Sequence, residues 1–215
     1  MREKLLSLFR SFFTALCVLT GSIAVPILLR PFYWLHIQPM GLEAAGGLTA
    51  SQIREAYGQM MDYCLGLRPD FAVGVLPFSE SGASHFADVR FLFLLDLAVL
   101  AVSAAALIAL WFYCRHKAVK LHRFAGHSPG FWGCVGLGVT FAVIGALAAL
   151  DFDRFFTIFH AVLFPGKDNW IFDPRLDPVI LILPQEFFRN CAILILAVLL
   201  MACAVIIIRD KRKKS

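Results

Sequence analysis

Charge is what this sequence has least of. Only 16% of its 215 residues are Asp, Glu, Lys or Arg and 60% are hydrophobic, whereas a typical soluble chain is about 25% charged. With a mean hydropathy of +0.75, there is too little polar surface to clothe an ordinary water-soluble domain. Cysteine is scarce outside the apolar runs: Cys17, Cys114, Cys134, Cys191 and Cys203 fall inside them and Cys64 stands alone. Neither a disulfide framework nor a C-x-x-C metal or redox motif can be drawn, and the cysteines read as small buried hydrophobes. No H-E-x-x-H pair and no G-x-S-x-G elbow occurs, which removes two familiar hydrolase signatures. There is no internal repeat, low-complexity tract or long linker, so the chain reads as a single membrane domain over residues 1–215.

What the chain does have is four long apolar stretches, residues 11–29, 91–114, 131–150 and 190–208, with Asp96 the single charge inside any of them. Each is close to the roughly 20 helical residues that cross about 30 Å of hydrocarbon. Backbone amides in lipid must be bonded within a helix or a closed barrel, and no period-two alternation suggests a barrel. The expected fold class is therefore an all-α membrane protein, a four-transmembrane-helix bundle with a small extracellular cap formed by residues 30–90 and 151–189. Gly133, Gly136 and Gly138 in the third stretch, and Ala98, Ala101, Ser103, Ala104 and Ala105 in the second, allow close helix approach.

Orientation follows from the basic residues, which are retained on the cytoplasmic side of span ends. Arg2, Lys4 and Arg10 precede the first stretch; Arg115, Lys117, Lys120 and Arg123 fill the link between the second and third; Arg209, Lys211, Arg212, Lys213 and Lys214 end the chain. Only Glu3 and Asp210 oppose them. Both termini are thus expected in the cytoplasm, and the net charge of +5 is mostly a topology signal. These clusters are short, juxtamembrane and free of interleaved aromatics, which argues against nucleic acid and for anionic membrane lipids as their partner. The first stretch is too long for a cleaved signal peptide and its Ile23-Ala24-Val25-Pro26 end lacks a small-x-small pattern, so an uncleaved anchor is expected.

Two segments then face outward. The first contains one amphipathic helix over residues 49–65, opened by a Thr49-x-x-Gln52 capping pattern and carrying Ile53, Tyr57, Met60, Met61 and Cys64 at helical spacing. Phe32, Tyr33 and Trp34 are placed as interfacial anchors. His85, Asp88 and Arg90 run into the second stretch; if its helix starts near His85, then His85, Asp88 and Asp96 share a face. The ordinary readings are a loop histidine and an acid at a helix N-terminus, but an acid inside a span normally faces a polar cavity or a partner. Just after the third stretch, Asp153, Phe156, Thr157 and His160 share a helical face. Arg154 lies beside them, and His116, His122 and His127 fall on the opposite side and are expected to be solvated.

Four motifs, His85-Phe86-x-Asp88-Val89-Arg90, Phe155-Phe156-Thr157-x-Phe159-His160, Trp170-x-Phe172-Asp173-Pro174 and Pro184-x-x-Phe187-Phe188, together make the chain resemble the bacterial lipoprotein intramolecular transacylases. The resemblance runs from the first span to the last. It implies an enzyme of the bacterial cell membrane that takes a diacylglyceryl lipoprotein and moves its sn-2 acyl chain to the α-amino group of the lipidated N-terminal cysteine. It also implies that His85 and His160 are catalytic, at the extracellular face.

Attack by that amine on its own glyceryl ester closes an eight-membered ring, which a confined site helps by holding amine and ester together. Phe86, Phe156, Phe159, Trp170, Phe172, Phe187 and Phe188 are suited to confining a lipid, although an interfacial belt would use the same residues. The amine must lose a proton and the glycerol oxygen gain one, and imidazole serves for both. Asp88 or Asp153 is a candidate to orient a ring, and Arg90 or Arg154 to stabilise the oxyanion. The reaction needs no cofactor and no metal. The rival readings are a metal-dependent membrane hydrolase using the same histidines and acids, and a non-catalytic membrane scaffold; a transporter finds little support with one intramembrane acid and no repeat.

Overall fold

The computed structural model describes residues 1–212, so Lys213 and Lys214 of the basic C-terminal group lie outside the described residues. The described chain forms helices α1 (Arg2–Leu28), α2 (Arg30–Ile37), α3 (Leu42–Gly46), α4 (Ala50–Cys64), α5 (Glu80–His116), α6 (Pro129–Leu150), α7 (Phe152–Leu163), α8 (Val179–Ile182) and α9 (Gln185–Arg212). Four of them, α1, α5, α6 and α9, are long and apolar enough to cross a membrane; α5, α6 and α9 each contain one of the expected apolar stretches, and α1 contains the first as far as Leu28. The fold is that of an all-α, multi-pass membrane protein.

Contacts divide the chain into two compact units. One comprises Met1–Ala24, Asp96–Leu147 and the described residues from Ile193 on. Its core is Cys134, Leu199 and Cys203, against which Val18, Leu19, Leu137 and Phe141 pack. Around it, Val102, Ile108, Val139, Val143, Leu147 and Met201 are exposed, an outer surface that hydrocarbon tolerates and water does not. At the junction of α6 with the preceding link, Asp210 of α9 accepts hydrogen bonds from His127 Nδ1 at 2.8 Å and Ser128 N at 3.1 Å, and from Arg123 at 3.5 Å. His127 also stacks on Phe131, their ring centroids 3.9 Å apart. It is therefore not the solvated histidine expected from its place in a basic link: a carboxylate 83 residues away claims it.

The other unit comprises Val25–Leu95 and Ala148–Ala192. Here α4 forms as its sequence directs. Thr49 and Gln52 make a reciprocal capping box, and Ile53, Ala56, Tyr57, Met60, Met61 and Cys64 are buried. Tyr33, expected as an interfacial anchor, is instead fully buried, stacked on Tyr57 at 3.8 Å with its hydroxyl donating to the Ile182 carbonyl at 2.7 Å. The apolar face of α4 offers a flat partner for the ring, and the carbonyl satisfies its polar tip, so the tyrosine is drawn inward. Trp34 stays partly exposed, under the Arg54 guanidinium.

Candidate active site

The first half of the site stands on the N-terminal turns of α5. That helix begins at Glu80, earlier than the start near His85 expected from sequence, because Ser79 caps it. Ser79 Oγ accepts from Gly82 N at 2.9 Å, while Ser79 N and Oγ each donate to the buried Asp177 carboxylate at 2.7 Å. An anion at a helix N-terminus is favoured by the unpaired amides there. Gly82 is required at this contact, since a Cβ on it would lie 2.2 Å from Asp177 Oδ1. The capped turn carries His85 into the interior, where it is buried between Phe164, Phe172 and Phe86, with ring centroids 4.9, 5.5 and 5.8 Å away.

The second half is α7. Asp151 caps it through Arg154 N at 3.0 Å, and its last turn presents His160, which is buried. His160 Nδ1 lies 2.8 Å from the Phe156 carbonyl. A carbonyl only accepts, so Nδ1 carries the proton and Nε2 holds the lone pair of the neutral ring. Burial holds the His160 imidazolium below the ordinary histidine range, and the bond to Phe156 offsets this in part. Trp170 stacks on the ring at 4.6 Å, and Phe156 and Phe159 pack at 4.2 and 5.6 Å. The two histidine rings face each other nearly parallel, centroids 6.1 Å apart.

The remaining expected residues separate. Phe188 touches Phe156 at 5.8 Å, whereas Phe187 is buried against Tyr33 and Tyr57 and not against either histidine. Asp88 is bound by Lys167 Nζ at 2.6 Å and Asn169 Nδ2 at 3.1 Å. Asp153 accepts from Gln185 Nε2 at 2.7 Å. Arg90 donates to the carbonyls of Arg68 and Pro69 and lies over the Tyr63 ring at 4.8 Å, and Arg154 is exposed. Asp96 belongs to the other unit, where its Oδ2 is buried without a hydrogen-bond partner among the described residues. Among the described residues no group of three His, Cys, Asp or Glu stands close enough to hold a metal ion.

Phe164, Lys167, Asn169 and Asp177 were not singled out as site residues from sequence. They sit on the loop after α7, which turns back because Gly166 takes a left-handed φ of +72°, a conformation glycine adopts without strain. Lys167 N then bonds the Phe164 carbonyl at 3.1 Å and Trp170 Nε1 the Lys167 carbonyl at 3.2 Å. The glycine immediately before a lysine was the one local signal available.

A multi-pass helical membrane protein with two buried, facing imidazoles in an aromatic enclosure is equipped for proton transfer on an apolar substrate. The model of the lipoprotein intramolecular transacylase family Lit matches residues 8–188; the chain belongs to that family, and it is an acyltransferase acting on lipoproteins in a membrane setting. The chain is similar in fold to a solved structure of the membrane-integral transacylase Lit from Bacillus cereus, at 23% identity, covering 99% of this chain and 98% of that one with a TM-score of 0.85. Two further structures of the Bacillus cereus protein, each carrying a substituted histidine, match at 21% and 22% identity with TM-scores of 0.78 and 0.79, covering 100% and 99% of this chain and 95% of theirs. No curated protein matches by sequence.

Proposed function

We propose that the protein moves the sn-2 acyl chain of an S-diacylglyceryl lipoprotein to the α-amino group of its own N-terminal cysteine, with His85 and His160 as the acid–base pair. The observation that carries this reading is the convergence of two buried imidazoles, 6.1 Å apart and walled by aromatic rings, on elements 75 residues apart in sequence.

His160 suits the base. Its Nδ1 proton is engaged by Phe156, which leaves the Nε2 lone pair for the substrate, while burial keeps it neutral at neutral pH. As the amine nitrogen bonds the ester carbonyl carbon, one imidazole takes the N–H proton; as the tetrahedral carbon expels the sn-2 glycerol oxygen, the other supplies a proton to it. One amide forms, one ester breaks, and the proton count of the site is unchanged. The products are an N-acyl group and a free sn-2 hydroxyl on the glyceryl thioether. Aromatic walls of Phe86, Phe156, Phe159, Trp170 and Phe172 favour the folded eight-membered ring over an extended lipid by excluding water and fixing orientation. The oxyanion role assigned to Arg90 or Arg154 gains no support from their contacts. By the charge bias of the sequence, both termini lie in the cytoplasm and the histidine pair on the extracellular side.

The test is a lipoprotein reporter expressed with the protein in cells that make diacylglyceryl lipoproteins, its N-terminal lipopeptide weighed and fragmented. An N-acyl, S-monoacylglyceryl peptide is expected. An unchanged diacyl form contradicts the reading, and a free-amine, monoacyl form points to a hydrolase.

A further inference from the structure

We propose that Asn169 is a positioning residue that fixes the tautomer of His85, held in place by Asp88 and Lys167. The proposal rests on the acid–base reading of His85, and it changes which residue orients that ring: an amide, with the nearby carboxylate acting one step removed.

Two buried polar atoms of the site have no hydrogen-bond partner among the described residues, His85 Nδ1 and Asn169 Oδ1. A buried polar atom without a partner is costly, and native sites keep few of them. The two belong to neighbours, since the Asn169 amide reaches Ser84 and Asp88, one residue before and three after His85 on α5. The other end of the amide is already committed. Asn169 Nδ2 donates to Asp88 Oδ2 at 3.1 Å and approaches Ser84 Oγ at 3.4 Å.

The orientation of this amide does not depend on telling oxygen from nitrogen by eye. An ionised carboxylate only accepts, so the end of Asn169 that meets Asp88 must be the N–H₂ group and the opposite end must be the oxygen. That oxygen also only accepts. The His85 nitrogen that closes on it therefore carries the proton, which places Nδ1–H toward Asn169 and the lone pair on Nε2. Lys167 Nζ, 2.6 Å from Asp88 Oδ1, keeps the carboxylate ionised and fixed. The gap between His85 and Asn169 closes when substrate fills the site, as hydrogen bonds in unliganded sites often tighten only on binding.

The consequence is a matched pair. His160 is held as the Nδ1–H tautomer by the Phe156 carbonyl, and His85 by the Asn169 oxygen, so both rings offer Nε2 to the substrate. A neutral amide leaves His85 free to change charge during turnover, whereas a directly bonded carboxylate would bias it toward the imidazolium. Asp88 thus contributes through Asn169, and its direct contact with the ring is not needed.

Protein labelled with 15N-histidine, held in lipid nanodiscs and saturated with a diacylglyceryl lipopeptide whose α-amine is acetylated and so cannot react, reports the tautomer, because protonated and bare ring nitrogens resonate far apart; His85→Gln assigns the signal. The expected result is the Nδ1–H tautomer at His85 in the wild type. In Asn169→Leu, which keeps the volume and removes the acceptor, a mixture of both tautomers is expected, with kcat lowered about 10- to 100-fold and KM within about threefold. Where Asn169→Leu does not accumulate as folded protein, Asp88→Ala frees the N–H₂ end of the amide and is expected to give the same mixture. An Nε2–H tautomer in the wild type, or an unchanged Nδ1–H signal in the variant, overturns the proposal. Failure of the parent reading is distinct: His85→Ala protein that still converts the reporter contradicts catalysis by His85 and leaves the tautomer result standing.

Discussion

His127 and His85 both lie beside an aspartate, and the two regions of the molecule use that neighbour in opposite ways. Around His127 the imidazole bonds the carboxylate directly, and Asp210 collects Ser128 and Arg123 as well. The result is a multi-point tie between the α5–α6 link and the end of α9. Around His85 the carboxylate is kept off the ring: Asp88 is bound by Lys167 and Asn169, and the ring is left among Phe86, Phe164 and Phe172. The arrangement that looks more like a catalytic dyad on paper is the one built as a tie. A histidine that must change charge in each cycle is better served by neutral acceptors and an apolar wall than by a fixed ion pair.

Substitution sharpens this contrast most. His85→Ala and His160→Ala should each slow formation of the N-acyl lipopeptide by about a thousandfold, the scale of lost acid–base catalysis, while His127→Ala leaves the rate within about twofold. The check is mass-spectrometric turnover on protein confirmed to be inserted in the membrane.

A smaller effect follows from pH. In the proposed mechanism the base is neutral His160, whose proton affinity is lowered by burial, so activity should persist below the ordinary histidine value of about 6.5. The acid limb of kcat/KM should fall about tenfold per pH unit only beyond that point. A limb centred above 6.5 would place the base in a more solvated or more anionic setting.

Asp210→Asn should leave turnover within about twofold and lower the thermal stability by about 1–3 kcal/mol, because a carboxylate only 6% exposed is replaced by a group that keeps the shape and loses the charge. Least of all, Asp153→Asn should change neither rate nor stability by more than about 0.5 kcal/mol, since among the described residues the exposed Asp153 carboxylate bonds only Gln185. Turnover and melting curves on the same preparations separate these two variants from Asp88→Ala.

The spanning helices were legible because hydrocarbon imposes length and composition on every residue of a span, and α4 because its cap and apolar face are both local. Their motifs singled out His85 and His160, and the structure brings the two rings to 6.1 Å. The contacts that orient them were less legible. Asp177 meets Ser79 across 98 residues and Lys167 meets Asp88 across 79, distances over which helical periodicity says nothing. The loop that carries Lys167 and Asn169 is placed by one left-handed glycine and by what it finds on α5. Tyr33 was misplaced for a related reason: an aromatic after a span looks the same in sequence whether it meets headgroups or another ring.

The central claim is that one lipopeptide supplies both amine and ester to one histidine pair. The direct measurement mixes two diacylglyceryl lipopeptides with purified, reconstituted protein, one heavy in both peptide and sn-2 acyl chain, the other light in both, and weighs the products. The account requires heavy acyl on heavy peptide and light on light, with no product from His85→Ala or His160→Ala protein. Crossed products at the frequency of random exchange would contradict it.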